Sequence, residues 1–277
     1  MATSAETRSF KEFESEGWQR QAPNYDDRAG RMTREAVPPL LDAVGARPGL
    51  RLLDVCCGPG YLAAEAVARG LSATGVDIAP AMVELARARV PGAEFRTGDA
   101  EALDFADGTF DAVACAFGLL HLAEPERAIA EAFRVLRPGG AYAFTVWDGP
   151  ERATFIGMAL RAVMDHADMG VPLPSGPPIF QMADRAFTSA ALERAGFRDV
   201  AAREVPIVFR GARPEDAWDW FDKSTVRAVG VVRQQTPELQ ARIRAAVIKA
   251  AQDYAGPEGV SIPSPALLFA ARKPASG

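Results

Sequence analysis

The stretch "LLDVCCGPG" (52–60) sets an acid, Asp54, four residues before the first of two glycines, Gly58 and Gly60. Two more acids close apolar runs downstream: Asp77 ends "LSATGVD" (71–77) and Asp99 stands in "AEFRTGDA" (93–100). Gly58-Pro59-Gly60-Tyr61-Leu62-Ala63 formally matches the dinucleotide pattern G-x-G-x-x-G/A. A pyrophosphate there would sit on the backbone N–H groups of a helix N-terminus. A carboxylate at Asp54 repels such an anion and suits an ammonium or a sulfonium. Asp77 suits two ribose hydroxyls, which both ligand classes carry, and Asp99 adds a third acid to the rim. The set fits a ligand with a cationic amino-acid end, a ribose and a base better than a nicotinamide dinucleotide, which stands as the alternative.

Other residue types offer less. Cys56, Cys57 and Cys115 have no C-x-x-C spacing, so they read as small buried hydrophobes and no metal is expected. Asp104, Asp107 and Asp111 read as a solvated turn. His121, in "GLLHL", is the first candidate for a general base, because imidazole titrates near neutral pH. Tyr25 is the second.

These residues need a frame. "LRLLDVCC" (50–57) is an apolar run ending in glycines, as a buried parallel strand does. Strands over 71–77, 93–100, part of 108–122 and 140–147 alternate with helical patterns over 61–70, 79–92 and 124–140. That alternation predicts a doubly wound, Rossmann-like α/β fold. A helix over 187–200, a strand over 199–209 with Pro206 marking an edge or bulge, and a last strand over 266–273 complete it. The expected sheet has seven mostly parallel strands, with 266–273 antiparallel beside 203–209. The expected units are an N-terminal helical cap (1–44), a core (45–148), a cap insertion (149–184), and a C-terminal part (185–277) with a helical insertion at about 211–261. Ligands of open α/β sheets bind at the carboxyl ends of the strands, under such caps. The cap aromatics Trp18, Trp147, Phe180, Trp218 and Phe221 are the candidates for an apolar acceptor pocket, with Phe155, Met158, Met164, Met182 and Trp220 in the same group.

"LLDVCCGPGYLA", "TGVDIAPAMVELAR", "GDAEALDFADGTFDAVACAFGLLHL" and "AFRVLRPGGAYAFTVW" together resemble class I S-adenosylmethionine-dependent methyltransferases, most of all the ubiquinone/menaquinone C-methyltransferase group. The resemblance covers residues 18–148 well and 185–210 loosely. It implies S-adenosylmethionine as cofactor and C-, O- or N-methylation of a small, partly apolar acceptor, with an S-adenosylmethionine-binding protein that runs another reaction as a further alternative. Asp54, Gly58 and Gly60 would border the cofactor's methionine part and Asp77 its ribose. Ile78 and Met82 would flank the adenine, and Asp99 and Ala100 would meet its amino edge. Ala116 and Phe117 would lie next to the sulfonium, and Tyr25, in "NYDDRA", would close over the cofactor. Cys56 stands where the family often has glycine.

Charge and composition bound the partners. With 31 basic and 36 acidic side chains the net charge is −5, and no long basic run occurs, so nucleic acid is not expected. "MATSAETRSFKEFES" is too polar for a signal peptide and no apolar run spans a bilayer. The reading is a cytoplasmic enzyme with a small-molecule acceptor, no membrane insertion, and a homodimer left open.

Overall fold

Apolar runs that stop at a glycine or an acid become strands whose carboxyl ends share one edge. A computed structural model describes residues 9–26 and 28–275; residues 1–8 of the expected N-terminal cap lie outside these. The chain opens with α1 (Phe10–Gln21), α2 (Ala29–Thr33) and α3 (Val37–Ala43). It then alternates β1 (Arg51–Val55), α4 (Tyr61–Ala68), β2 (Ser72–Asp77), α5 (Pro80–Arg89), β3 (Glu94–Thr97), β4 (Phe110–Ala116), α6 (Pro125–Val135) and β5 (Leu136–Trp147). There follow α7 (Thr154–His166), α8 (Arg185–Arg194), β6 (Arg198–Val205), β7 (Val208–Gly211), α9 (Glu215–Ser224), α10 (Arg227–Arg233), α11 (Pro237–Gln252), β8 (Ala255–Gly256), β9 (Gly259–Pro263) and β10 (Ala266–Arg272).

The main sheet has seven strands in the order β3-β2-β1-β4-β5-β10-β6. The first five pair in parallel, with Leu53 of β1 opposite Val113 of β4 and Thr74 of β2. β10 runs antiparallel to both its neighbours, as expected of the last strand, and lies between β5 and β6. The core is aromatic on this side: Phe144 stacks on Phe269 at 5.3 Å and Tyr142 on Phe197 at 5.4 Å.

Two boundaries differ from expectation. The strand expected over 199–209 is two strands, because Pro206 has no N–H to continue a ladder. β6 stays on the edge of the main sheet, while β7 joins β9 and β8 in a small antiparallel sheet. The insertion at 211–261 is therefore not wholly helical. Likewise the helix expected over 124–140 stops at Val135, and β5 starts at Leu136.

The cap is built from α1, α7, α9, α10 and α11. α1 opens with a capping box between Ser9 and Glu12 and buries Phe10, Phe13, Glu14, Gly17 and Gln21 on one face. Gly17 lets it press onto Val226, since a Cβ there would overlap that side chain. Gln21 Nε2 donates to the carbonyls of Asp222 and Thr225 at 3.1 and 3.0 Å, tying α1 to the end of α9. Phe155 of α7 stacks on Phe209 of β7 at 4.1 Å and is fully buried, so it is cap core and not a pocket residue. Among the described residues no helix is long and apolar enough to cross a membrane.

Candidate active site

The carboxyl ends of β1, β2 and β4 face a cavity roofed by α1 and the turn after it. Asp77, the last residue of β2, organises its floor. Its Oδ2 accepts from Gly58 N at 2.8 Å and its Oδ1 from Ala79 N at 2.9 Å. Burial pushes its carboxyl upward, against those backbone bonds and the nearby His121. A carboxylate oxygen has more than one lone-pair site, so each can still accept from a ligand hydroxyl. Gly58 sits at φ 50°, and a Cβ on it would meet no atom within 4 Å, so the loop leaves open room above its backbone.

Two non-glycine residues here also have positive φ: Cys56 at 56° and Phe117 at 58°, just beyond β1 and β4. Such strain persists where surrounding structure enforces it, commonly at functional sites. Gly118 is part of that enforcement. A Cβ on it would meet Cys56 and would lie 2.6 Å from Cys115 Sγ. Cys56 and Cys115 are thus neighbours, as the strand order predicts, while Cys57 turns its thiol to the Gly58 carbonyl. Among the described residues no cluster suited to a metal ion exists.

Twelve expected residues line this cavity: Trp18, Tyr25, Gly58, Asp77, Ile78, Met82, Asp99, Ala116, Phe117, His121, Trp147 and Trp220. Six others do not. Gly60 is packed against Ala86 and Phe95, and Ala100 is buried behind Asp99 in the chain. Phe221 lines an adjoining chamber, and Phe180 lines an outer groove. Trp218 borders none of these spaces and packs against Phe221 at 5.7 Å.

The sixth, Asp54, lies off the lining. It is 1% exposed, and its Oδ2 accepts from Ala63 N at 3.1 Å. α4 starts from Gly60, which has no side chain to cap the helix, so a first-turn amide takes the neighbouring strand's carboxylate instead. Burial pushes the Asp54 carboxyl up to about 8. The folded chain then holds a proton that the unfolded chain releases above about pH 4, so stability falls as pH rises from there through about 8. Asp54→Asn keeps an acceptor for Ala63 and has no charge to bury. Its stability relative to the parent is expected to rise between about pH 5 and about pH 8, by up to roughly 1.4 kcal/mol per pH unit. Urea midpoints at both ends check this; parallel shifts in the two proteins would remove Asp54 from the account.

The lining itself is acidic. Glu14, Asp77, Asp99 and Glu101 line the cavity against a single lysine, Lys11. Lys11 reaches from α1 to Asp99 Oδ2 and Glu101 Oε2, both at 2.6 Å, so Asp99 holds α1 down as well as facing the pocket. A pyrophosphate finds no complement in that lining.

His121 follows β4 and packs edge-on against Trp18, with ring centroids 4.8 Å apart. Its Nδ1 lies 3.2 Å from Glu14 Oε2, which also accepts from Trp18 Nε1 at 3.1 Å. An indole N–H can only donate, which marks Glu14 Oε2 as an acceptor. The proton of a neutral His121 then belongs on Nδ1, leaving Nε2 free to accept. Tyr25 is the weaker base. Burial raises its hydroxyl to about 12, so at neutral pH it donates. Lys11, Glu14, Ala29, Thr33, Cys56, Glu101, Gly118, Leu122 and Ala123 also line the cavity. Glu14 had one visible signal: an acid at the helical spacing of the buried residues Phe10, Gly17 and Gln21.

Beyond His121, Trp147 and Trp220 lies a second, smaller chamber, walled by Leu120, Ile156, Ile179 and Phe221. Phe117 stacks on Trp147 at 4.2 Å at the junction. The acidic cavity and the apolar chamber thus meet beside one imidazole.

A methyltransferase-domain family matches residues 53–144, the span from β1 into β5. The demethylmenaquinone methyltransferase of Renibacterium salmoninarum is 38% identical over 140 residues, which is 49% of this chain and 59% of that one. The protein of the same name from Beutenbergia cavernae is 32% identical over 176 residues, 60% of this chain and 72% of that one. Among solved structures, the cyclase SpnF matches with a TM-score of 0.61 at 22% identity, covering 98% of both chains. Phosphoethanolamine N-methyltransferase 2 of Haemonchus contortus, in complex with phosphomonomethylethanolamine and S-adenosylhomocysteine, matches with a TM-score of 0.58 at 18% identity. It covers 96% of this chain and 60% of that one. At such identities the structural likeness establishes the fold.

Proposed function

The chain belongs to the class I S-adenosylmethionine-dependent methyltransferases, and on that premise we propose that it methylates a small, partly apolar acceptor held beside His121. The observation that carries the reading is the junction itself: an acid-lined cavity and an apolar chamber that share His121, Trp147 and Trp220 as walls. The donor set fits the cofactor. Asp77 offers free lone pairs to ribose hydroxyls, Gly58 leaves space for close backbone approach, and Ile78 and Met82 give apolar surface for a base. The four carboxylates suit a ligand with positive ammonium and sulfonium groups.

S-adenosylmethionine, when bound, supplies a methyl group already activated on positive sulfur, so the protein's main tasks are positioning and exclusion of water. Phe117 and Trp147 wall the junction, and α1, held by Lys11, roofs it. His121 Nε2 takes the proton of an acceptor hydroxyl or acidic carbon. Glu14 holds the ring so that Nδ1 keeps its own proton. The three thiols are free and suit a reducing compartment, so we place the enzyme in the cytoplasm.

Calorimetric titration with S-adenosylmethionine and with NAD separately tests the cofactor. Binding of the first alone is expected, and binding of NAD alone would overturn the reading. Labelled methyl transfer is then measured on a panel of quinols, phenols and amines. Transfer is expected to quinols or phenols; cofactor binding with no transfer to any class would remove the methyl-transfer step.

A further inference from the structure

We propose that Arg227 anchors a carboxylate on the acceptor, so that the chamber selects apolar, ring-sized molecules bearing that group over their neutral counterparts. The inference rests on the methyltransferase reading and names its substrate class.

Arg227 lines both the chamber and the outer groove that runs past Phe180 and Met164. It therefore stands where an acceptor passes from surface to junction. One of its donors is spent: Nη1 donates to the Pro177 carbonyl at 2.7 Å. The guanidinium also lies 4.9 Å from the centroid of the Phe10 ring. These two contacts fix its position and leave most of its five N–H donors unused. Among the described residues, no carboxylate lies within ion-pairing distance of it. Arg34, Arg87 and Arg203 likewise donate to backbone carbonyls, whereas others are held by acids. Arg69 holds Asp42 and Glu65, Arg134 holds Asp107 and Glu131, and Arg152 holds Asp148 and Glu204. Glu14 acts on Arg227 only at longer range, and its Oε2 is engaged by Trp18 and His121.

A second unspent donor lies in the same wall. Trp220 Nε1 is buried without a hydrogen-bond partner, and Trp220 lines both the chamber and the donor cavity. The chamber's other hydroxyl, Thr225 Oγ1, already donates to the Phe221 carbonyl at 2.9 Å. What the chamber leaves open is therefore donor capacity beside a cation in apolar surroundings. Such groups reward a ligand that brings acceptor oxygens and a negative charge. A planar guanidinium matches the two oxygens of a carboxylate in a fork, which an alcohol or an amide does not reproduce. An ammonium acceptor would face Arg227 as a like charge.

The test uses the isosteric pair 2-naphthoate and 2-naphthamide, titrated into the full chain saturated with S-adenosylhomocysteine. The parent is expected to bind the naphthoate at least about tenfold tighter than the amide. Arg227→Met should bring that ratio to about one, and Arg227→Lys, which keeps charge but loses the fork, should retain part of it. A ratio of one in the parent, or an undiminished ratio in Arg227→Met, would overturn the proposal. Because the lysine variant keeps the charge, it also serves if the methionine variant does not fold. S-adenosylhomocysteine affinity is measured first. Its absence in the parent overturns the methyltransferase reading, whereas intact affinity with a ratio of one overturns only the carboxylate anchor.

Discussion

His121→Gln is expected to lower turnover on a hydroxyl or acidic-carbon acceptor by about 10²- to 10⁴-fold. Glutamine has a similar reach and can keep a hydrogen bond to Glu14, but it has no nitrogen that accepts a proton near neutral pH. The loss should therefore fall on turnover, with the affinity for S-adenosylhomocysteine nearly unchanged. The limb of the pH–rate profile that reports the base should disappear with it. Glu14→Gln should give a smaller loss and a displaced limb, since it disturbs only the ring's orientation and tautomer. If His121→Gln retains turnover within a factor of three, roughly the scatter of a spectator substitution, His121 is a structural neighbour of Trp18 and the acceptor carries no proton to remove.

The second large effect belongs to Asp77. Asp77→Ala removes the acceptor of Gly58 N and of Ala79 N together with the lone pairs offered to a ribose. Hydrogen bonds to a charged group contribute about 1.5–3 kcal/mol each, so cofactor affinity should drop by roughly 10²-fold. Asp77→Asn should fall between the two, because its single carbonyl oxygen serves only one of the amides. Calorimetry with S-adenosylhomocysteine reads both variants, and urea unfolding shows whether the Gly58 loop has loosened. Affinity unchanged in the alanine variant would take Asp77 out of the site.

How much of this was readable from residues alone follows from the distances involved. The strands, the glycine loop and Asp77 are local patterns: apolar runs with a punctuating residue at the end. The split of β6 from β7 was announced by Pro206, but its consequence, a second sheet with β8 and β9, depends on a pairing across the whole cap insertion. Asp54 was read as a pocket acid because it precedes the glycines. Its hydrogen bond from Ala63 N depends on Gly60 leaving a helix uncapped, which is a question of where an amide points. The pairings of Lys11 and Glu14 are hidden for a simpler reason, although Glu14 sits at the helical spacing of buried residues. Their partners Asp99 and His121 lie 88 and 107 residues away, so no spacing rule connects them. Arg227 carries no sequence signal either, since its feature is the lack of an ion-pair partner.

The placement of β10 between β5 and β6 has a consequence for how the protein assembles. β6 has no neighbour in the main sheet except a strand made after the entire cap insertion. During synthesis the half that holds Asp77 and His121 emerges first with its own parallel pairings complete, while β5 waits with an unpaired edge. Such an edge is a template for wrong partners, and pairings distant in sequence form slowly. The cofactor-binding half is thus built early and the sheet is closed late, which makes the interval before β10 docks the stage at which ligand binding and chaperones have most to offer this chain.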